Sequence, residues 1–376
     1  MPSALFSPFE LRGLRLENRV MVSPMCQYSA VNGCATDWHL MHLGKFAVSG
    51  VGLMVIEATH VEARGRITSH CLGLYSDENE AALARVIKFC REAGRAKIGV
   101  QLSHSGRKGS AKLPWEARGR PLSPEEGAWQ CVSAGNTPFD HDWPAPQPLD
   151  RTGLEQVKRA HVGAAKRCVR LGIDLIEFHV AHGYLFHEFL SPLTNHRADE
   201  YGGSLENRMR FPLEVFAAIR AACPETMPVG VRVSATDHVE GGWDVEQTEV
   251  FAKTLKAAGC DYITVSSGGL STRQKIAIGE GYQIALARRV RAASGMPTVG
   301  VGMIYRPEHA EAIIQNGDAD LIALARTMLF DPHWVWYAAS ALGADVWYPP
   351  QYIRGYRSDW LRSNRRGAEM GESRER

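Results

Sequence analysis

Two imidazoles and a phenol, His179, His182 and Tyr184, stand within six positions of one another directly after the apolar run Ile173 to Phe178. Groups of this kind can steady a developing negative charge with hydrogen bonds and return a proton to carbon. Two other readings fit a bare His-x-x-His pair: metal ligation, or packing without chemistry. On a continuing strand, residues three apart point to opposite faces, so convergence needs a turn, and Gly183 is the residue type for one. The remaining chemistry-bearing side chains also follow apolar runs. They are Ser23, Pro24, Met25, Cys26, Gln27 and Tyr28; Ala58 and Thr59; Gln101, His104, Arg107 and Lys108; Arg232; Ser266 to Gly269; Gly300 to Met303, with Gly302 among them; and Ala325 with Arg326.

The elements that must position these residues alternate. Eight short, β-branched-rich runs read as strands: Arg19–Ser23, Gly52–Glu57, Lys97–Leu102, Ile173–Phe178, Pro228–Val233, Tyr262–Ser266, Thr298–Val301 and Leu321–Leu324. A helical stretch follows each: Trp38–Val48, Glu80–Ala93, Leu154–Leu171, Leu205–Ala222, Val245–Ala258, Tyr282–Ala293, Pro307–Gln315 and His333–Leu342. Thr152 to Glu155 has the spacing of a capping box, and Gly94, Gly172, Gly259 and Gly317 stand where left-handed helix stops are expected. Continuous apolar runs suit parallel strands covered on both faces. Eight such pairs predict an α/β fold, a single (β/α)8 TIM barrel over about residues 17–342, and no Gly-x-Gly-x-x-Gly supports a doubly wound alternative. A long proline-rich excursion, residues 104–150, interrupts the rhythm after strand three; loops of this length inside a compact domain are usually functional. Residues 343–366 read as a C-terminal interface tail and 367–376 as a frayed end.

Composition narrows the classes. Lys plus Arg number 43 against 41 Asp plus Glu, a net charge of +2, so no global field favours nucleic acid or an anionic membrane. The eight cysteines show no C-x-x-C or other short metal-ligand spacing. No apolar run is long enough to span a bilayer, and Met1 to Arg19 lacks a basic start followed by a long apolar core, so no secretory signal is expected. Free thiols in a reducing cytoplasm are the default.

Active sites of barrels gather at the C-terminal ends of the strands, where the residues named above fall. Glycines after strand seven and Ala325-Arg326 after strand eight occupy the usual phosphate position of a barrel. Gln101 offers a donor and an acceptor on one planar amide, suited to the imide edge of a heterocycle. Lys108 and Arg232 are placed to meet negative charge on a ring nitrogen and carbonyl. Together these describe a site for reduced flavin mononucleotide, FMN.

Several motifs carry a family resemblance. They are Ser-Pro-Met-Cys-Gln-Tyr at 23–28, Glu-Ala-Thr at 57–59, Gly-Val-Gln-Leu-Ser-His-Ser-Gly-Arg-Lys at 99–108 and His-Val-Ala-His-Gly-Tyr-Leu at 179–185. Asn-His-Arg-Ala-Asp-Glu-Tyr-Gly-Gly-Ser at 195–204 and Tyr-Ile-Arg-Gly-Tyr at 352–356 complete the set. In this order, from about Leu5 to Tyr356, the chain resembles the old yellow enzyme family, in its bacterial, thermophilic-like branch. Pro114-Trp115-Glu116 is similar to the xenobiotic reductase type.

The resemblance implies an FMN-dependent, NADPH- or NADH-driven reductase of electrophilic alkenes. His179 and His182 would bind the substrate carbonyl, flavin N5 would deliver hydride to Cβ, and Tyr184 would protonate Cα. Cys26 would sit near the flavin and tune its potential, with Tyr28 lining the substrate pocket. Gln101, Lys108 and Arg232 would hold the isoalloxazine, with Ser23, Pro24, Met25 and Ala58 packed around it and Gly302, Ala325 and Arg326 at the phosphate. The family commonly has Gly where Ala325 stands, a departure that matters only if the backbone there takes an unusual φ. Arg354 resembles an arginine that reaches a neighbouring subunit's site, implying a homodimer or a homotetramer of such dimers. Nitro compounds, nitrate esters or quinones are alternative substrates; a metal-dependent barrel hydrolase, a Schiff-base lyase through Lys108, and a flavin-binding scaffold without turnover are rivals.

Overall fold

The computed structural model describes residues 2–355. The expected frayed end 367–376, the last part of the interface tail and Tyr356 of the C-terminal motif lie outside the described residues.

Eight parallel strands close into one barrel. In chain order they are Val20–Val22, Leu53–His60, Lys97–Ser103, Leu175–Val180, Val229–Ser234, Ile263–Ser266, Thr298–Val301 and Leu321–Leu324. Each pairs with its sequence neighbours, and strand eight closes on strand one through Ala323 opposite Met21. Helices Asp37–Ala47, Asp77–Ala93, Arg151–Arg170, Leu205–Ala222, Val245–Ala257, Ile284–Ser294 and Pro307–Gln315 fill the crossovers, and Trp334–Leu342 follows strand eight. This is the (β/α)8 barrel.

Alternation along each strand divides the core in two. Leu175 joins Met21, Leu53, Val55, Tyr262, Val299 and Leu321 inside the barrel, while Ile176, Phe178 and Val180 face the helix layer. The hairpin Phe9–Leu11 with Leu14–Leu16 adds Leu11, Leu14 and Leu16 to the inner cluster. Sequence reading missed this hairpin because its three-residue strands are too short for a periodic signal.

Three local expectations need correction. The helix after the excursion starts at Arg151, and the Asp150 carboxylate accepts from Gly153 N, so the Thr152–Glu155 capping box does not form. A carboxylate two residues earlier is the stronger acceptor. Gly172, Gly259 and Gly317 are left-handed as expected, but Gly94 is extended at φ −138; there a Cβ would collide with Ala47 O, so close packing explains the glycine. Strand two runs on to His60, and a bulge between Ile56 and Ala58 leaves Glu57 as the unpaired extra residue. A bulge re-aims a side chain without ending the strand. The excursion is ordered by three 3-10 turns and by Val132–Ser133 pairing with Gln147–Pro148. Among the described residues no helix is long and apolar enough to cross a membrane.

Candidate active site

Strand four sends Leu175, Glu177 and His179 into the barrel in turn, from base to mouth. The strand ends at Val180, and two left-handed residues follow, His182 at φ 59 and Gly183 at φ 73. A left-handed backbone costs an L-residue about 1–2 kcal/mol, so the conformation at His182 must be held by its surroundings. It is. His182 N donates to Ser234 Oγ at 3.0 Å, and Lys108 Nζ donates to His182 O and to Gly269 O, each at 2.9 Å. Gly183 packs so closely on the loop after strand six that a Cβ would lie 2.3 Å from Gly269 O.

The turn converts His-x-x-His from opposite faces to one. The His179 ring lies 5.1 Å from those of His182 and Tyr184, edge to face with both. Ala181 N donates to His179 Nδ1 at 3.2 Å, so the ring proton sits on Nε2 and that nitrogen is a donor. His182 Nε2 meets Ser266 Oγ at 2.8 Å. Burial, reinforced by Arg232, holds both imidazoles well below the ordinary value of 6.5, so they are neutral donors. Burial likewise lifts the Tyr184 phenol well above its usual range, keeping its proton in place.

Beside this turn a cleft of about 380 Å³ runs between strands five to eight. His182, Arg232 and Ser266 line one end, and Gly302, Met303, Ala325 and Arg326 the other. Ala325 has φ −112, so its methyl brings no left-handed strain. Ser23 Oγ accepts from Arg232 Nη1 at 3.0 Å. Gln101 Nε2 donates to buried Glu177 at 2.8 Å, leaving its oxygen free of that partner. Ala58 is buried, and Met25 packs against the core. Cys26, Tyr28 and Tyr184 gather around Cys71 and Ile67, and burial raises the Cys26 thiol well above its usual value. Trp115 of the excursion meets Tyr28 edge to face at 5.9 Å.

Two cations that follow strand three tie loops together. Lys108 braces the turn, with its ammonium over the Phe139 and Tyr184 rings, and burial pushes it down to about 8. Arg107 fastens the excursion, donating to the carbonyls of Thr137, Pro138 and Leu270. Arg354 is exposed at the end of the described chain. Sequence reading missed Glu177, His187, Asp237, Ser266 as a ring partner, and Gln283. A carboxylate inside an apolar strand was the only available signal, at Glu177; the others become partners only once distant strands close.

Comparison with known proteins adds the family. The profile of the NADH:flavin oxidoreductase / NADH oxidase family matches residues 4–344. An NADPH dehydrogenase of Bacillus subtilis (strain 168) is 39% identical over 95% of this chain and 100% of its own. An NADH:flavin oxidoreductase of Gibberella zeae is 41% identical over 91% of this chain and 86% of its own. The chain belongs to this family, the old yellow enzymes.

Among solved structures, morphinone reductase superposes with a TM-score of 0.75 at 26% identity, over 92% of this chain and 91% of that one. A 2-naphthoyl-CoA reductase shares the fold at a TM-score of 0.80 and 23% identity over 91% of this chain, which spans 52% of that protein's length. This old yellow enzyme is an NAD(P)H-dependent flavin oxidoreductase, and its cofactor is FMN. The cleft fits that group. Among the described residues Arg232 Nε is buried without a hydrogen-bond partner, and at Gly302, φ 133, a Cβ would press on Tyr282 and Gln283 at 3.1–3.2 Å. Among the described residues no group of three or more His, Cys, Asp or Glu could hold a metal ion.

Proposed function

We propose that the enzyme reduces the activated C=C bond of α,β-unsaturated carbonyls at the end of strand four. The observation that carries this reading is the convergence of His182 and Tyr184 on His179, each ring 5.1 Å from its ring, two neutral imidazoles beside a protonated phenol. His179 Nε2–H and the His182 ring hold the substrate carbonyl oxygen, drawing electron density from the alkene and steadying the enolate charge that develops. Tyr184 gives its proton to Cα. When bound and reduced by NADPH or NADH, FMN would supply the hydride for Cβ. Gln101, Arg232 and Ser23 would hold its ring, with Pro24, Met25, Cys26 and Ala58 around it, and Gly302, Ala325 and Arg326 would hold its phosphate. Tyr28 walls the substrate side, and Lys108 acts by bracing the turn. Arg354, exposed, reaches a neighbouring subunit of a homodimer or homotetramer. Eight free thiols accord with a reducing, cytoplasmic setting.

The test is an anaerobic titration. NADPH should bleach the yellow flavin band, and an enone should restore it; bleaching without recovery would leave nitro compounds, nitrate esters or quinones as the substrates. Tyr184→Phe should slow enone reduction by on the order of 10²-fold while leaving flavin reduction by NADPH nearly intact. Equal loss in both half-reactions would remove Tyr184 from the acid role. For Arg354, a subunit lacking it should regain activity when mixed with a site-deleted subunit.

A further inference from the structure

The turn that aims the three site residues is anchored from beneath by a buried pair outside the cleft. Gly183 N donates to His187 Nδ1 at 2.9 Å. His187 Nε2 lies 2.8 Å from Asp237 Oδ1, and both side chains are 0% exposed. Among the described residues neither atom has an aligned hydrogen bond, so the two face each other as a close electrostatic contact. The second carboxylate oxygen, Oδ2, accepts from Ser191 Oγ at 2.6 Å and from Trp243 N at 2.7 Å.

A backbone N–H can only donate, so Nδ1 of His187 carries no proton, and the ring proton must sit on Nε2, facing Asp237. We propose that Asp237 and His187 are positioning residues: the carboxylate holds the imidazole in the one tautomer that can accept from Gly183, and the Gly183 amide holds the turn that aims His179, His182 and Tyr184. This rests on the ene-reductase reading of the site.

The arrangement depends on a carboxylate rather than on any polar group of the same shape. In Asp237→Asn, the obligate donor Trp243 N–H requires the amide oxygen at the Oδ2 position. The amide NH2 then faces His187 Nε2, which must accept. The ring proton moves to Nδ1, where it opposes the Gly183 N–H, donor against donor. An isosteric change some distance from the cleft therefore releases the turn, and misplacing reacting groups by about 1 Å can cost on the order of 10²-fold.

The experiment uses the FMN-loaded enzyme. Nitrogen-15 histidine NMR reads the tautomer, and cyclohexanone, a ketone that accepts the site's donors without being reduced, reads their alignment through the flavin spectrum. Asp237→Asn should convert one Nε2–H histidine to the Nδ1–H form and weaken cyclohexanone binding by about tenfold or more. No conversion, or conversion with ketone affinity unchanged, overturns the proposal. If Asp237→Asn does not fold, a second pair decides. His187→Asn keeps an acceptor oxygen near the Nδ1 position, whereas His187→Phe keeps only the ring. The Asn variant should bind cyclohexanone about tenfold more tightly than the Phe variant; equal affinities overturn the proposal. A parent enzyme that neither binds cyclohexanone nor reduces enones overturns the ene-reductase reading and this inference with it, whereas an unconverted tautomer overturns this inference alone.

Discussion

The strand-four turn and the segment after strand one are held by the same kind of relay, run in opposite directions. Beneath the turn, the imidazole of His187 touches the site and the carboxylate of Asp237 stands behind it. Beside strand one, the carboxylate touches the site segment: Glu57, turned aside by its bulge, accepts from Gln27 N at 2.9 Å. Its other oxygen lies 3.3 Å from His39 Nε2, and His39 Nδ1 accepts from Thr36 N at a helix start. A histidine–carboxylate pair stiffens whichever segment its acceptor atom contacts. The turn is therefore contacted by the imidazole, and the strand-one segment by the carboxylate.

Breaking the two imidazoles should separate the regions most sharply. His187→Phe should lower enone kcat/KM by on the order of 10²-fold through misalignment. His39→Phe should act mainly on stability, costing about 1 kcal/mol as a lost helix cap, read from denaturant midpoints. Comparable losses of turnover would erase the contrast.

Glycines sharpen it next. Gly183→Ala should destabilise the fold by more than the roughly 1–2 kcal/mol of a left-handed alanine, because its Cβ would also strike Gly269 O. Gly203→Ala, at φ 80 with open space around it, should show the backbone cost alone. Thermal denaturation of the two variants measures the difference.

A smaller effect is expected from Glu57→Gln. It should change flavin reduction by less than about tenfold and leave ketone affinity in place, because a carboxamide oxygen can still accept from Gln27 N. Parallel losses in both would show that the segments are coupled.

The smallest effect on turnover is that of pH. His179 and His182 titrate well below 6.5 in the fold, so the unfolded chain binds more protons as pH drops past 6.5. Their contribution to stability is complete above 6.5 and is lost as pH falls through the folded values. Glu188, lifted to about 7 by burial, runs the other way: its contribution is complete below 4.5 and fades as pH rises through about 7. Two depressed imidazoles outweigh one raised carboxyl, so denaturation midpoints should fall as pH drops from 6.5 towards 4.5. Enone reduction should show no inflection at 6.5, since the gripping imidazoles are neutral on both sides of it.

Much of this was legible in the chain. Strands three, seven and eight were readable nearly to the residue, because buried parallel strands are short apolar runs punctuated by turn residues, and the packing of the barrel adds little to that pattern. Strand two extends beyond its apolar run because Glu57, the bulged residue, ends that run without ending the strand. The helix after strand six was read two residues early, at Tyr282; Tyr282 and Gln283 instead shape the cleft floor. Lys108 was expected against a flavin ring, and its ammonium is instead bonded to two loop carbonyls 74 and 161 positions away in sequence.

The residues by themselves determined the fold and the types of side chain at the barrel mouth, since apolar periodicity and the residue types at strand ends are local properties. Tertiary structure alone decided how those groups are aimed. His182 and Gly183 adopt left-handed backbone because Ser234, Gly269, Lys108 and His187 hold them there. Asp237, distant in sequence from the turn it serves, enters the site only when strands four and five lie side by side. Hydrogen bonds between such distant groups depend on ångström-scale placement, and that placement exists only once the barrel has closed.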